Sequence, residues 1–314
     1  MTGAAKVWTL HLALIAALFA AQLWLSPYHT TNLARILVLA VFAMGYNLAF
    51  GYTGLLSLGH ALFFAAGMYA ASLSAQVWGL TAGPALALGC LGGGLVAAAV
   101  GLLALRTAGV SFMIVTLMFA QAGYLTILYL APITGGDEGF TLSASARTLL
   151  GFDLSTDTPR FLAALGLFSA GLVISLVLVR SRFGRTMVAL RENEERSRML
   201  GINPFTVKLA ALTISGIYAG AAGAAYALLF GYAGGSFATI QYSILPMLYV
   251  LLGGAGTTLG PFLGAFLMFA LIEAASGLTS AYLFFVGAAL VALVLFAPKG
   301  VLGTVRERWV KWLP

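Results

Sequence analysis

The stretch NLARILVLAVFAMGYNLAF-GYTGLLSLGH-ALFFAAGMYAASLSAQVWG (residues 32–79) places a polar interruption between two apolar runs. Each apolar run is long enough to cross the roughly 30 Å of hydrocarbon in a bilayer. The interruption, residues 51–60, contains three glycines together with Thr53, Ser57 and His60. Because lipid cannot satisfy polar groups, this stretch predicts a break between two membrane helices that either lines a water-filled path or is surrounded by protein.

The composition of the whole chain extends this interpretation to all 314 residues. Hydrophobic residues make up 61% and charged residues 8%, whereas a soluble domain carries about 25% charged residues. The runs are continuously apolar and do not alternate, which excludes a membrane β-barrel. We expect an all-α polytopic membrane protein, a single domain over residues 1–314, with about ten transmembrane segments: 8–26, 32–50, 60–79, 83–105, 109–131, 159–180, 208–230, 241–253, 257–276 and 280–297. The segment 241–253 is short for a full crossing, which indicates a discontinuous helix.

The distribution of Lys and Arg predicts the orientation. With ten spans and both termini in the cytoplasm, 13 of the 16 basic residues lie on the inner side. The outer side keeps three arginines and four acidic residues: Arg35, Arg147, Arg160, Asp137, Glu138, Asp153 and Asp157. The basic balance is therefore a topology signal, and it gives no support to a nucleic-acid partner.

Two connections are long enough to carry function. The outer connection, residues 132–159, is acidic and rich in glycine, and is either an external docking surface or a solvated loop. In the inner connection, residues 180–208, Phe183, Met187 and Leu190 recur at helical spacing among charged residues. This amphipathic helix either lies among lipid headgroups or inserts its apolar side chains into a groove on a cytosolic partner.

At this point the sequence resembles a known family. RFGRTMVALRENEERSRMLGINPFTVKLAA (182–211) is similar to the cytoplasmic loop of LivM-type permeases of branched-chain amino acid ABC importers. Four other blocks resemble further family blocks in the same order: GYTGLLSLGHALFFAAGMYAA (51–71), TGGDEGF (134–140), LLGGAGTTLGPFLGAF (251–266) and APKGVLG (297–303). The five blocks are distributed between residues 51 and 303.

The resemblance implies one half of the membrane part of an importer in the bacterial inner membrane. Such permeases pair with a second homologous permease, two cytosolic ABC ATPases and a periplasmic substrate-binding protein. The sequence contains no G-x-x-x-x-G-K-[ST] phosphate loop, so ATP hydrolysis is expected on the partner chains and this chain is not expected to be an enzyme. No cofactor, metal site or catalytic residue is predicted.

The substrate is less narrowly specified than the type of transporter. The resemblance favours branched-chain or other hydrophobic amino acids, and related permeases import urea and short-chain amides. A secondary carrier is a further alternative, and it would require ionisable groups at membrane depth, for which the candidates are Glu273, Arg35 near a span entrance, and the histidines.

Two sets of site residues follow. The resemblance makes the inner connection the coupling helix that the ATPases push, with six expected contacts: Arg185, Met187, Ala189, Arg191, Glu192 and Asn193. Polar groups near the helix breaks are the candidates for the substrate path: Tyr52, Thr53, Ser57, His60, Gln121 and Tyr232. Each of the latter also has a structural interpretation, since Ser and Thr often bond within their own helix and His60 could cap the helix that begins there.

A five-residue segment that occurs twice, which we call the echo, suggests internal symmetry. Phe50-Gly-Tyr-Thr-Gly54 recurs as Phe230-Gly-Tyr-Ala-Gly234. In the predicted topology the first copy ends a span that runs inward and the second ends a span that runs outward. Transporters often consist of inverted repeats with discontinuous helices at matching positions, so spans 2–5 are predicted to repeat as spans 7–10.

Overall fold

The computed structural model describes residues 3–277, 284, 287–288, 291, 295 and 299–308. In these ranges the helices are α1 Gly3–Ala21, α2 Pro27–Asn47, α3 His60–Trp78, α4 Ala82–Ala104, α5 Gly109–Tyr129, α6 Ala131–Thr134, α7 Asp157–Arg180, α8 Arg182–Glu192, α9 Glu194–Met199, α10 Pro204–Phe230, α11 Ile240–Gly253, α12 Gly260–Ser276 and α13 Gly300–Arg308. A π-helical turn, Leu48–Tyr52, continues α2. Four two-residue strands are also present: β1 Phe140–Thr141, β2 Thr148–Leu149, β3 Phe152–Asp153 and β4 Tyr232–Ala233.

The all-α membrane class is confirmed. Six helical segments within the described residues are long and apolar enough to cross a bilayer: 27–52, 60–78, 82–104, 109–129, 157–180 and 204–230. Three shorter apolar helices, 5–21, 240–253 and 260–276, match three more of the predicted spans, including the short one. The predicted span 280–297 falls almost entirely outside the described residues, so the count of ten remains a prediction.

Small residues determine how closely the central helices approach. α10 packs against α3 and α4, while α2 packs against α7, α11 and α12. A Cβ atom added to Gly220 of α10 would lie 2.4 Å from the carbonyl oxygen of Gly89 and 2.8 Å from the Cα of Gly93. Since this is far closer than atoms can approach, glycine is required where α10 crosses α4.

The spacing of the elements agrees with the echo in the sequence. Phe50 and Phe230 are 180 residues apart, and so are His60 and Ile240, the first residues of α3 and α11. The packing partners correspond as well. If α2, α3 and α4 repeat as α10, α11 and α12, then α10 packs on α3 and α4 of the first copy just as α2 packs on α11 and α12 of the second. This correspondence is compatible with a repeat of spans 2–5 as spans 7–10, and the inversion of that repeat stays a prediction.

The outer connection is folded rather than irregular. It contains α6 and the β2–β3 hairpin, and its strand β1 pairs antiparallel with β4. Because β4 lies in the second copy of the echo, the TGGDEGF block and the FGYAG block are in direct contact. We call this side of the molecule the outer side and the side of α8 and α9 the inner side, as in the predicted topology.

Candidate functional site

The junction between α2 and α3, residues 48–59, begins as an irregular, buried segment at the inner end of α2. The last turn of this helix is π-helical, and the hydroxyl of Thr53 donates a hydrogen bond of 2.8 Å to the carbonyl oxygen of Leu48. Tyr52 is buried, and its hydroxyl has no hydrogen-bond partner among the described residues. Gly54 follows with a φ of +78°, a conformation that glycine adopts at little cost. The chain therefore leaves α2 through a wide turn, a feature that is frequent at functional sites.

The loop between α11 and α12 holds this junction from one side. The side-chain amide of Asn47 donates to the carbonyl oxygen of Thr257 and accepts from the backbone N–H of Gly256, both at 2.9 Å. On the other side of the loop, His11 of α1 is hydrogen-bonded to the Thr258 hydroxyl at 2.9 Å. Arg306 of α13 donates to the carbonyl oxygen of Gly256 at 3.1 Å. Three helices distant in sequence therefore meet at one loop.

Arg191 of α8 holds the junction from the inner side. Its Nη1 donates to the carbonyl oxygen of Gly51, at the end of the π-helical turn. Cβ atoms added to Gly54 and Gly256 would lie 3.2 Å and 3.1 Å from Arg191 atoms. The arginine side chain thus lies between two glycine-containing loops and adds a positive charge at the C-terminal end of α2, where the helix dipole favours a cation.

The apolar face of α8 is buried in part within its own chain. Met187 and Leu190 are buried, and α8 contacts α7, α10 and the π-helical turn of its own chain. The chain's own helices thus cover these two side chains, whereas Phe183, the third member of the predicted apolar face, is half-buried; contact of the face with lipid headgroups or a partner stays a prediction. Its polar face remains exposed.

The six predicted coupling residues divide by exposure. Arg185, Arg191, Glu192 and Asn193 are exposed, although one arm of Arg191 is bonded to Gly51. Ala189 is half-buried, and Met187 is fully buried, so in this structure the Met187 side chain is not exposed to a partner.

A kink at Asn193 separates α8 from α9. The Asn193 side chain accepts a hydrogen bond of 2.9 Å from the backbone N–H of Arg196 and thereby caps α9. Glu194 accepts from Lys208 of α10 at 2.5 Å and from Arg198 at 2.7 Å. The hydrogen bond from Lys208 is the main cause that lowers the pKa of Glu194 below its ordinary value. Glu194 therefore links α9 to the first turns of α10.

Hydroxyl groups, two of them from other helices, satisfy backbone N–H groups at the buried start of α3 and just before it. The Oγ atoms of Thr116 in α5, Ser57 in the junction and Ser243 in α11 accept hydrogen bonds from the backbone N–H groups of residues 58, 59 and 61. These bonds measure 3.1, 3.1 and 2.9 Å. The first N–H groups of a helix have no partner within the helix, so these hydroxyls permit α3 to begin inside the protein.

His60 has a different role from helix capping. It is the first residue of α3, and Gly59 occupies the cap position. The His60 ring is fully buried, and its Nε2 is hydrogen-bonded to the Ser215 hydroxyl of α10 at 2.8 Å. The ring also lies edge-on to Tyr46 of α2, with centroids 4.6 Å apart. The capping interpretation is therefore wrong, and His60 instead joins α3 to α10 and α2.

The outer copy of the echo is held in a corresponding way. The Tyr232 hydroxyl donates to the carbonyl oxygen of Glu138 at 2.9 Å, and the backbone N–H of Leu142 donates to the carbonyl oxygen of Gly231 at 2.9 Å. Arg147 donates from Nε to Leu228 and from Nη2 to Leu229, at 2.9 and 2.6 Å. An arginine from the outer connection thus binds the C-terminal carbonyls of α10, as Arg191 does for α2.

Sequence reasoning missed these outer arginines as site residues. Arg160 donates to the same carbonyl oxygen of Leu229 at 3.1 Å and pairs with Asp157 at 3.2 Å. Burial, and then the charge of Arg160, lower the pKa of the Arg147 guanidinium. The only signal in the sequence was that both arginines lie on the outer side, where the predicted topology places few basic residues. Their acceptors gave no signal, because these carbonyl oxygens belong to residues about 70 to 80 positions further along the chain.

The predicted path residues are not brought into one cluster. Tyr52 and Thr53 lie at the inner junction, Ser57 and His60 lie at the start of α3, and Tyr232 lies on the outer side. Gln121 is exposed on α5, which is the least buried of the six long apolar segments.

Comparisons with known proteins found sequences that are similar over most of the chain. A family model described as branched-chain amino acid transport system / permease component matches residues 28–297. The high-affinity branched-chain amino acid transport system permease protein LivM of Salmonella typhimurium is 30% identical over 299 residues, which covers 87% of this chain and 69% of that protein. LivM of Escherichia coli is 30% identical over 327 residues, 95% of this chain and 76% of that protein.

A second kind of relative matches a shorter part. The autoinducer 2 import system permease protein LsrC of Photorhabdus luminescens is 31% identical over 103 residues, which is 31% of each chain. No solved structure matches the chain significantly.

Proposed function

We infer the function from one premise, that this chain belongs to the family of branched-chain amino acid transport system permease components. As a multi-pass membrane protein of a transport family, it is a permease subunit. The finer proposal is an ABC importer that carries branched-chain or other hydrophobic amino acids across the bacterial inner membrane by alternating access. Its partners would be a second homologous permease, two cytosolic ATPases and a periplasmic binding protein, with ATP hydrolysed on the partner chains.

The attachment of α8 is the observation that carries this proposal. One face of α8 is buried on α7 and α10, and Arg191 links the end of α8 to the carbonyl oxygen of Gly51. The opposite face is exposed and carries Arg185, Glu192 and Asn193. A partner that pushes on the exposed face would therefore move the inner end of α2, and with it the break between α2 and α3.

The expected coupling residues can now be given separate roles. We assign the ATPase contact to Arg185, Ala189, Glu192 and Asn193, which lie on or beside the exposed face. Met187 fixes α8 to its own membrane helices because it is fully buried. Arg191 transmits movement of α8 to the junction, in addition to any contact that it makes with an ATPase.

The secondary carrier is the weaker candidate. All nine acidic residues of the sequence lie in the described ranges, and none of them is buried. Glu273 is exposed near the end of α12 and accepts a hydrogen bond of 3.0 Å from the Tyr28 hydroxyl. A proton- or sodium-driven carrier usually places such a group at depth within the membrane.

Reconstitution tests the proposal. The chain is purified with its second permease and ATPases, placed in proteoliposomes, and supplied with binding protein outside and ATP inside. We expect ATP-dependent uptake of leucine, isoleucine or valine. Uptake that needs no ATP and follows an ion gradient would establish the carrier, and ATP-driven uptake of urea or acetamide alone would establish the alternative importer.

The role of Arg191 is tested in the same vesicles. Arg191→Ala removes a charged hydrogen-bond donor, an interaction that contributes roughly 1.5–3 kcal/mol, so we expect about tenfold fewer substrate molecules imported per ATP hydrolysed. Arg106→Ala is the matched control, since Arg106 is exposed on the same side and its side chain has no hydrogen bond or ion pair among the described residues. An unchanged ratio in Arg191→Ala, with ATPase activity intact, would contradict the transmission role.

A further inference from the structure

An arginine within the second helix has no hydrogen-bond acceptor in the part of the chain that the structure describes. Arg35 lies eight residues after the start of α2, about 12 Å into the helix from its outer end. Its Nε atom is buried, and neither this atom nor the rest of the guanidinium has a hydrogen bond or ion pair among the described residues. The side-chain Nδ2 of Asn32, three residues earlier on the same helix face, is also buried without a partner there.

The other two outer arginines both have hydrogen-bond acceptors, unlike Arg35. Arg147 and Arg160 each donate hydrogen bonds to carbonyl oxygens at the end of α10, and Arg160 also pairs with Asp157. Among the described residues Arg35 has one cation–π contact, with the ring of Phe230, whose centroid lies 5.1 Å from its Cζ atom. A ring face attracts the guanidinium but accepts no conventional hydrogen bond, so this contact positions Arg35 and leaves its donors unused.

Two adjacent unused donors within a membrane helix require an explanation. Buried N–H groups without an acceptor cost free energy, and an ionisable side chain at membrane depth is expensive unless it serves a function. Arginine forms its strongest hydrogen bonds with a carboxylate, through two parallel N–H groups. The missing acceptor is therefore best matched by a carboxylate that none of the described residues supplies.

The surroundings of Arg35 suit a small amphipathic molecule. Tyr226 and Phe230 of α10 and Tyr242 of α11 are only partly buried, as is Arg35 itself. Their rings form a continuous group through Phe237, with centroids 4.8 to 5.0 Å apart between neighbours. Aromatic rings beside a cation provide an apolar surface next to a carboxylate site.

We propose that Arg35 and Asn32 form a carboxylate-binding site in the outer half of the substrate path. The guanidinium and the Asn32 amide donate to the α-carboxylate of an amino acid, and the aromatic rings contact its hydrocarbon side chain. This inference rests on the proposed function and narrows it, because urea and neutral amides have no carboxylate for these donors to bind.

Direct binding tests the site. The complex of both permeases and both ATPases is placed in nanodiscs without binding protein, and saturation-transfer NMR measures weak binding of three probes: L-leucine, 4-methylpentanoate, which lacks the ammonium group, and leucinamide, which lacks the carboxylate. We expect leucine and 4-methylpentanoate to compete with each other and leucinamide to bind about tenfold more weakly. Equal binding of leucine and leucinamide would overturn the proposal.

Variants connect the binding to the two residues. Arg35→Gln should reduce leucine affinity about tenfold and remove its advantage over leucinamide, while Asn32→Ala should reduce it by a smaller factor. Arg106→Gln, on the inner side, should leave both the leucine affinity and the preference for leucine over leucinamide unchanged. If Arg35→Gln does not yield an assembled complex, Asn32→Ala decides the question, and a leucine-to-leucinamide ratio equal to that of the wild type would refute the site.

The same preparation separates this inference from the proposed function. Wild-type proteoliposomes that import leucine with ATP while Arg35→Gln retains wild-type selectivity would refute only the carboxylate site. Vesicles that import urea and no amino acid would refute the substrate class on which the site depends.

Discussion

At the residue scale, the arginines are distinguished by what they bind. Arg191 donates to the carbonyl oxygen of Gly51, and Arg147 donates to those of Leu228 and Leu229. Each therefore stabilises the C-terminal end of a helix that carries one copy of the echo, where the helix dipole favours a positive charge. Counting charges predicted on which side these residues lie, but it could not predict their acceptors, which are backbone atoms far away in sequence.

Glu194 provides a pH-dependent contact at this scale. The hydrogen bond from Lys208 lowers the pKa of Glu194 in the folded protein, so the ionised carboxylate contributes its full stabilisation above the ordinary carboxyl pKa. That contribution is lost as the pH falls through the lowered folded value. We expect amide hydrogen exchange in α9, corrected for intrinsic rates, to be steady near neutrality and to accelerate below about pH 4.

A pair of variants checks this assignment. Glu194→Gln should show faster exchange in α9 at neutral pH and no further acid-dependent step. Glu195→Gln, which neutralises the exposed neighbouring carboxylate, should behave as the wild type. An acid step that persists in Glu194→Gln would show that another group is responsible.

At the scale of elements, the break at residues 51–60 shows what sequence can and cannot predict. The glycines and polar groups predict that a membrane helix is interrupted there, and the structure confirms that α3 begins at His60. Thr116 accepts from the N–H of Leu58 just before α3 and Ser243 accepts from that of Ala61 in its first turn, and both lie on helices that no local pattern connects to this stretch. Periodicity likewise predicted α8 and its apolar face, but it could not predict that α8 would pack on α7, α10 and the π-helical turn of the same chain.

The crossing of α10 over α3 and α4 is a second property of elements that can be tested. Gly220→Ala would place a methyl group 2.4 Å from the carbonyl oxygen of Gly89, so the helices must separate. Such overpacking costs roughly 1–3 kcal/mol, and we expect a lower thermal unfolding midpoint in detergent. Gly166→Ala in α7 is the matched control, because no atom lies within 4 Å of the added Cβ.

The control variant also has an expected effect on the thermal unfolding midpoint. Alanine favours a helix over glycine by about 0.5–1 kcal/mol, so Gly166→Ala should leave the midpoint unchanged or raise it slightly. Equal midpoints for the Gly220 and Gly166 variants would mean that the glycine contact does not limit the approach of α10.

At the scale of the whole molecule, the two copies of the echo organise both ends of the protein. The inner copy contacts α8 and the loop before α12, and the outer copy contacts the outer connection. Composition and run lengths were sufficient to predict the membrane class, and five residues were sufficient to suggest the repeat. The matching partners at the two ends could not be predicted, since they depend on long-range packing of helices that are almost uniformly apolar.

The orientation of the molecule in the membrane is the last property to test. The excess of Lys and Arg predicts that α8 and α9 face the cytoplasm and that the β2–β3 hairpin faces the periplasm. Leu150 in the hairpin is 92% exposed and Met199 in α9 is 87% exposed, so cysteines at these positions would be accessible to a reagent. The background is Cys90→Ala, which removes the single native thiol. In right-side-out vesicles a membrane-impermeant maleimide should label Leu150→Cys directly and Met199→Cys only after permeabilisation. Reversed labelling would place α8 outside, where no cytosolic ATPase could push it, and would contradict the coupling proposal together with the topology.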